Sequence, residues 1–375
     1  MLSRLTINAA QTCNLGCKYC YALGGEYGGS ASVITPELAV TRFREAAQEH
    51  RFIKIVQFIG GEPLLNLPAL TAVAEEIDVL MQDGILLNRP SLCVVTNLTF
   101  LSKEHITLFT KYRFALLVSV DGPEKIHDAL RPTKGGQGSH GKIMSNIEML
   151  RCEEIPFDVY CTYTRRHLQS GLSITDLLRY FKSIGAGVIE IVPASTAPHD
   201  ELGFNHEGDW RAVVDTQIDA INFSIDEFEK GNVMSYGLLG AMIAAMTVRA
   251  TDRICPAGVS NLAIASDGDL YTCNMSTNNP AYRTSISAQA DVLTKADIAE
   301  CRDCRVRPWC RSCLGEMEIR NPGNPKPFPE HCETLRRGIE TIEKRLPRAS
   351  RRHLFLQQKG VAFSQRLQGK SDSRP

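Results

Sequence analysis

The 375-residue sequence has no excess of charge: Lys+Arg and Asp+Glu each total 42. A chain without a basic field offers no general attraction for nucleic acid, and one without an acidic excess is not a solvated, disordered chain. No apolar run reaches the length that spans a bilayer, so no membrane partner is expected. The first residues, MLSRLTINAAQTCNLGC, lack the basic-then-apolar layout of an export signal. These absences point to a cytoplasmic protein. Internal repeats and low-complexity blocks are missing too. What remains is ordinary globular composition, 43% hydrophobic and 22% charged. That is enough for a large domain and a smaller one.

Cysteine is not scarce. There are 13, and without an export signal a disulfide framework is a poor explanation for them. In a reducing compartment clustered cysteines more often bind metal. One group is Cys13, Cys17 and Cys20; the other is Cys255, Cys273, Cys301, Cys304, Cys310, Cys313 and Cys332. Cys93, Cys152 and Cys161 stand apart and read as structural, Cys93 and Cys161 as small hydrophobes in apolar strands.

Between residues 3 and 194 apolar, strand-like runs alternate with helical patterns. The runs are Leu5–Ala9, Phe52–Phe58, Leu92–Val95, Phe114–Val120, Phe157–Tyr163 and Val188–Val192. Thr35-Pro36-Glu37 reads as a cap, a first-turn proline and a first-turn acid. Six strand-then-helix repeats imply an α/β fold with a parallel sheet and chemistry at the strand ends. A helical linker is expected over 201–250, a cysteine-rich domain over 251–340, and a helix with a polar, basic tail over 341–375.

Cys13-x3-Cys17-x2-Cys20 follows the first strand directly. Three thiolates at that spacing can hold an iron–sulfur cube and leave one iron open. With Tyr19 before the last cysteine, the segment resembles the signature of the radical S-adenosylmethionine superfamily. Gly60-Gly61-Glu62-Pro63 follows the second strand and resembles that family's GGEP element. Thr96-Asn97 and Ser119-Val120-Asp121 follow the next two. The resemblance covers about residues 3–195 and implies a partial (β/α)6 barrel over 1–200. It further implies one [4Fe-4S] cluster on Cys13, Cys17 and Cys20. S-adenosylmethionine would be held by Gly60, Gly61 and Glu62 at its ammonium, Asn97 at its ribose, and Ser119 and Lys142 at its carboxylate. His127 and Arg131 read equally as solvated surface or as substrate contacts.

The second group resembles the SPASM domain, a C-terminal cysteine-rich iron–sulfur cluster domain. It departs once, with two residues rather than three between Cys310 and Cys313. The resemblance implies two auxiliary cubes, for three [4Fe-4S] clusters in all. One would take Cys301, Cys304, Cys310 and Cys332. The other would take Cys255, Cys273 and Cys313 and lacks a fourth cysteine. Its last iron would be open, or closed by water, a substrate thiolate, or a residue such as Asp267 or Asp269. A zinc ribbon is the plainer alternative, but seven cysteines do not divide into complete zinc sites.

SPASM relatives mostly modify peptides or proteins. The leading expectation is therefore a maturase that takes a hydrogen from a ribosomally made precursor peptide and installs a thioether or carbon–carbon crosslink. Its electrons would come from a reductant such as flavodoxin or ferredoxin. No leader-binding domain precedes residue 5, so leader recognition would use a separate leader-binding protein or this domain's own surfaces. The alternatives are a sulfatase-type maturase that oxidises Ser or Cys to formylglycine, and a non-radical iron–sulfur electron carrier. The chain length fits the former and the missing fourth cysteine counts against it.

Overall fold

The computed structural model describes residues 1–197, 199–247, 251–287 and 293–354. The polar tail expected at the C-terminus lies outside them from residue 355 onward. Strand β1 (Arg4–Gln11) and a two-residue strand β2 (Ser32–Val33) precede helix α1 (Pro36–His50). Then come β3 (Ile55–Gly60), α2 (Leu67–Gln82), β4 (Ser91–Thr96), α3 (Lys103–Tyr112), β5 (Ala115–Ser119), α4 (Glu124–Leu130) and α5 (His140–Cys152). Next are β6 (Phe157–Tyr163), α6 (Arg165–Gln169), α7 (Ile174–Ser183), β7 (Ile189–Pro193), α8 (Glu207–Glu229) and α9 (Gly237–Thr247). The last elements are β8 (Asn261–Ile264), β9 (Leu270–Tyr271), α10 (Ala299–Arg302), α11 (Leu314–Arg320) and α12 (Pro329–Arg345). No helix among the described residues is long and apolar enough to cross a membrane.

The chain divides into two compact units. The first holds Met1–Ser119, His127–Ile155 and Pro256–Val292. Its strands run in the order β5-β4-β3-β1-β8-β9, with β2 beside β1. β1, β3, β4, β5 and β8 are parallel, in registers such as Leu5↔Val56, Phe58↔Val94 and Val95↔Leu117. Parallel strands end on one edge, so the segments after β1, β3 and β4 emerge side by side. Phe43, Phe58 and Phe109 are buried in the core beneath. Helix α1 starts where expected. Thr35 Oγ1 accepts from the Leu38 amide at 3.2 Å, and Pro36 opens the first turn.

The second unit holds Val120–Ile126, Pro156–Cys255 and the described residues from 293. β6 and β7 pair in parallel, Cys161 opposite Ile191. α8 packs on α7 and α12, and α9 on α12 and β7. Arg345 reaches back from α12 to Asp226 and Glu229 on α8, at 2.6 and 2.9 Å. A separate small core of Ile254, Ile298, Met317 and Phe328 carries Cys255 and Cys301 against it. Cys161 is fully buried on the face of β6 that also buries Phe157, Val159 and Tyr163, so it packs as a core residue. Cys152, at the end of α5, is exposed and fills no core.

Candidate active site

The loop after β1 carries Cys13, Cys17 and Cys20, all half-buried. Its backbone is laced to residues 130–134. The Gly16 amide donates to Pro132 O at 2.7 Å, Lys18 to Leu130 O at 2.9 Å, and Lys134 to Asn14 O at 3.3 Å. N–H groups also face two of the sulfurs. Leu15 N and Asn97 Nδ2 lie 3.4 and 3.6 Å from Cys13 Sγ, and Gly24 N lies 3.4 Å from Cys20 Sγ. Burial pushes the Cys13 thiol up, and nearby Glu62 and Cys20 add to it. A thiolate there needs a cation beside it, while the amides suit a negatively charged sulfur. The donor set therefore fits a thiolate-held metal cluster.

His127 and Arg131 are neither solvated nor free to contact a substrate. His127 is fully buried and Arg131 is 7% exposed. The Arg131 guanidinium lies over the Tyr19 ring, 5.3 Å from its centroid, in a cation–π arrangement. Its carbonyl accepts from Ser139 Oγ at 2.6 Å, so that hydroxyl accepts in turn from His127 Nε2 at 3.0 Å. Asp128 Oδ1 takes the amides of Ser139 and His140 at 2.8 Å each. The expected surface residues are thus the buttress of the cysteine loop.

The segment after β3 meets the end of β1 backbone to backbone. Gly61 N donates to Ala10 O at 2.7 Å, and Glu62 N to Thr12 O at 2.9 Å. Gly60 has φ 143°, a conformation that suits glycine. A Cβ there would collide with the Ala10 carbonyl, and one on Gly61 with that of Thr12. Glu62 is fully buried. Its Oε1 accepts from Leu64 N at 3.0 Å and Thr96 Oγ1 at 2.7 Å, and its Oε2 from Asn97 N at 2.7 Å. Burial raises this carboxyl to about 7, with the three hydrogen bonds opposing the rise.

Asn97 turns toward the cysteine loop. Its Nδ2 donates to Asn14 Oδ1 at 2.9 Å, and its Oδ1 accepts from Thr99 N and Thr99 Oγ1 at 2.9 and 2.6 Å. The fold thus gathers Cys13, Cys20, Gly60, Gly61, Glu62 and Asn97 at one edge of the first unit. Ser119 is buried at the end of β5, and Lys142 is exposed on α5. Asp121, in the second unit, takes the Thr162 amide at 3.0 Å.

In the second unit Cys301, Cys304, Cys310 and Cys332 line one cavity, together with Lys295 and His331. Burial pushes Cys310 up to about 11 and Cys332 up to about 12; Lys295 and Arg336 respectively pull them down. Lys295 is 2% exposed and donates to Thr251 O and Arg307 O at 2.7 Å each. Four sunken thiols around one cavity, with cations nearby, fit a cluster carrying negative charge. Cys255 and Cys313 also belong to this unit and are half-buried. The amide of Ser312, beside Cys313, donates to the carbonyl of Ile254, beside Cys255, at 3.2 Å. Cys273 belongs to the first unit, where its neighbour Asn274 donates to Tyr21 Oη at 3.3 Å. Asp267 and Asp269 are occupied in the β8–β9 turn, Asp267 Oδ1 by the Asp269 amide at 2.9 Å and Asp269 by Arg283. Among the described residues no three His, Cys, Asp or Glu side chains close round a single metal ion.

Three groups escaped the sequence reading. Lys295 and His331 line the four-cysteine cavity, and only the position of His331 beside Cys332 hinted at it. Glu190 on β7 lies against Gly237, and burial with nearby Asp158 raises it to about 7.

A parallel α/β sheet with a three-cysteine loop after its first strand and a paired glycine after the next defines a radical S-adenosylmethionine domain. The Radical SAM superfamily model matches residues 7–184, and the chain carries that domain. The chain is 21% identical over 371 residues to a cysteine-type anaerobic sulfatase-maturating enzyme of Clostridium novyi, covering 90% of this chain and 94% of that one. It is 26% identical over 185 residues to a serine-type anaerobic sulfatase-maturating enzyme of Bacteroides thetaiotaomicron, covering 48% and 43%. Among solved structures, native anSMEcpe with bound AdoMet and Kp18Cys peptide matches at TM-score 0.74 and 17% identity, over 93% of this chain and 99% of that one. The fold is accordingly the radical SAM partial barrel, followed by a cysteine-rich region.

Proposed function

We propose that this chain is a radical S-adenosylmethionine maturase of the sulfatase-maturating type, oxidising a Ser or Cys side chain of a protein to an aldehyde. The observation that carries the reading is likeness across nearly the whole length of a sulfatase-maturating enzyme, the cysteine-rich region included. It favours formylglycine formation over the peptide crosslink, which none of the relatives named above supports. A plain electron carrier has no use for a three-cysteine site beside a glycine-built ligand shelf.

In this reading Cys13, Cys17 and Cys20 hold a [4Fe-4S] cluster, and Gly60, Gly61, Glu62, Asn97, Ser119 and Lys142 bind or shape the place for S-adenosylmethionine. When bound, these groups supply a one-electron cleavage and a carbon radical that removes one hydrogen from the substrate. The chain's own residues set the geometry. Gly60 and Gly61 let two strand ends close up and leave carbonyls for an ammonium. Glu62 braces the Thr96-Asn97 turn, and Asn97 donates to the sulfur of Cys13. Conversion of –CH2OH to –CHO removes two hydrogens in all. One leaves as an atom, and the other as a proton and an electron. Cys301, Cys304, Cys310 and Cys332 would hold one auxiliary cluster, and Cys255, Cys273 and Cys313 part of another, as electron-accepting groups. A small electron-transfer protein would supply the reductant.

The test is an anaerobic incubation with S-adenosylmethionine, a reductant and peptides carrying a single Cys or Ser in a sulfatase-derived context. An aldehyde trapped by a hydrazide reagent supports the reading. Loss of two hydrogens without an aldehyde supports the crosslink instead.

A further inference from the structure

Two cubes need eight protein donors, and the second cysteine group supplies seven. The four-cysteine cavity holds a further donor. His331, at the start of α12, lines it with Cys301, Cys304, Cys310 and Cys332. Its Nε2 is buried and has no hydrogen-bond partner among the described residues. The imidazole meets the backbone of Arg311 in a bond that favours its proton, so the partner is the carbonyl. A carbonyl only accepts; the nitrogen facing it, Nδ1, therefore carries the hydrogen, and Nε2 of the neutral ring carries a bare lone pair. A histidine held by a carbonyl at one nitrogen and bare at the other is set as a metal ligand. Thiolates and sulfides are themselves acceptors. In a chamber of thiolates and sulfides a bare nitrogen finds no donor, and iron is the partner that satisfies it.

We infer that His331 Nε2 is a protein ligand to an iron of the cluster in this chamber, an inference that rests on the reading of these cysteines as cluster ligands. The chamber then offers five donors, and the group as a whole eight. A neutral imidazole in place of a thiolate lowers the negative charge at the cluster and raises its reduction potential, as histidine ligation does elsewhere.

The test uses the full chain with Cys13→Ala, Cys17→Ala and Cys20→Ala, reconstituted anaerobically with iron and sulfide and then reduced. It is prepared with natural and with 15N-labelled histidine, and pulsed electron paramagnetic resonance reads the nitrogen coupling. The expected result is a strong histidine-nitrogen coupling that changes with the isotope. In the same background His331→Cys should remove the coupling, keep the iron and shift the midpoint potential downward. His331→Cys leaves a ligating side chain in place, and the isotope comparison needs no substitution at His331, so a folding defect cannot mask the answer. Iron and sulfide at full level with no histidine coupling would overturn the inference and leave the cluster reading standing. Iron and sulfide absent from this background would overturn both.

Discussion

The guanidinium of Arg131 lies over the ring of Tyr19, 5.3 Å from its centroid, and the Arg131 carbonyl is fixed by Ser139 Oγ at 2.6 Å. The aromatic residue inside the cysteine loop is therefore held by a side chain more than 100 positions away. A contact of this kind contributes about 0.5–2 kcal/mol. Arg131→Ala should lower the melting temperature and speed iron loss from the first cluster to a chelator, leaving auxiliary iron in place. Iron release at the wild-type rate would show that the stacking does not hold the loop.

The cysteines of the two groups should load independently. The wild-type protein should carry about twelve irons, and the variant with Cys13, Cys17 and Cys20 all changed to Ala about eight. That variant should cleave no S-adenosylmethionine. Stoichiometric zinc with little acid-labile sulfide, or cleavage retained in the variant, would refute the assignment.

Glu62 takes three hydrogen bonds from its own chain, including the Asn97 amide at 2.7 Å. In Glu62→Gln an amide group replaces one acceptor oxygen and leaves a buried donor unpaired, at a cost of about 1–3 kcal/mol. The variant should melt lower and bind S-adenosylmethionine more weakly, with cluster iron retained. Isothermal titration and iron analysis check this. An unchanged dissociation constant would confine Glu62 to a purely internal brace.

Glu190 gives a pH signature. Burial raises its folded-state value to about 7, above the ordinary carboxylate range. The folded protein therefore holds this proton more tightly than the unfolded chain does. Its contribution is most favourable below the unfolded value and is lost progressively as pH rises toward and through 7. Glu190→Gln, which stays neutral, should flatten that loss. Its melting temperature should exceed the wild-type value at pH 8 by more than at pH 5. Parallel melting curves at all pH values would show that Glu190 ionises freely.

Local signals made much of this molecule legible in its sequence. The cysteine spacings, Gly60-Gly61 and Thr35-Pro36 are short-range patterns whose physics acts within a few residues. The strand runs placed the loops after β1, β3 and β4 on one edge because parallel strands leave no other arrangement. The burial of His127 and Arg131 was not legible, since it depends on Ser139 and on the cysteine loop itself. Nor was the tautomer of His331, which the Arg311 carbonyl sets, or the raised Glu190, whose neighbours come from β6 and the start of α9. Polar side chains report their partners only when distant segments meet.

The central claim is that the chain removes a hydrogen atom from the β-carbon of a Ser or Cys side chain. A peptide deuterated at that carbon, incubated anaerobically with S-adenosylmethionine and reductant, tests it directly. The account predicts deuterium in the 5′-deoxyadenosine formed and an aldehyde in the peptide. Deuterium-free 5′-deoxyadenosine, with the labelled carbon unchanged, would contradict it.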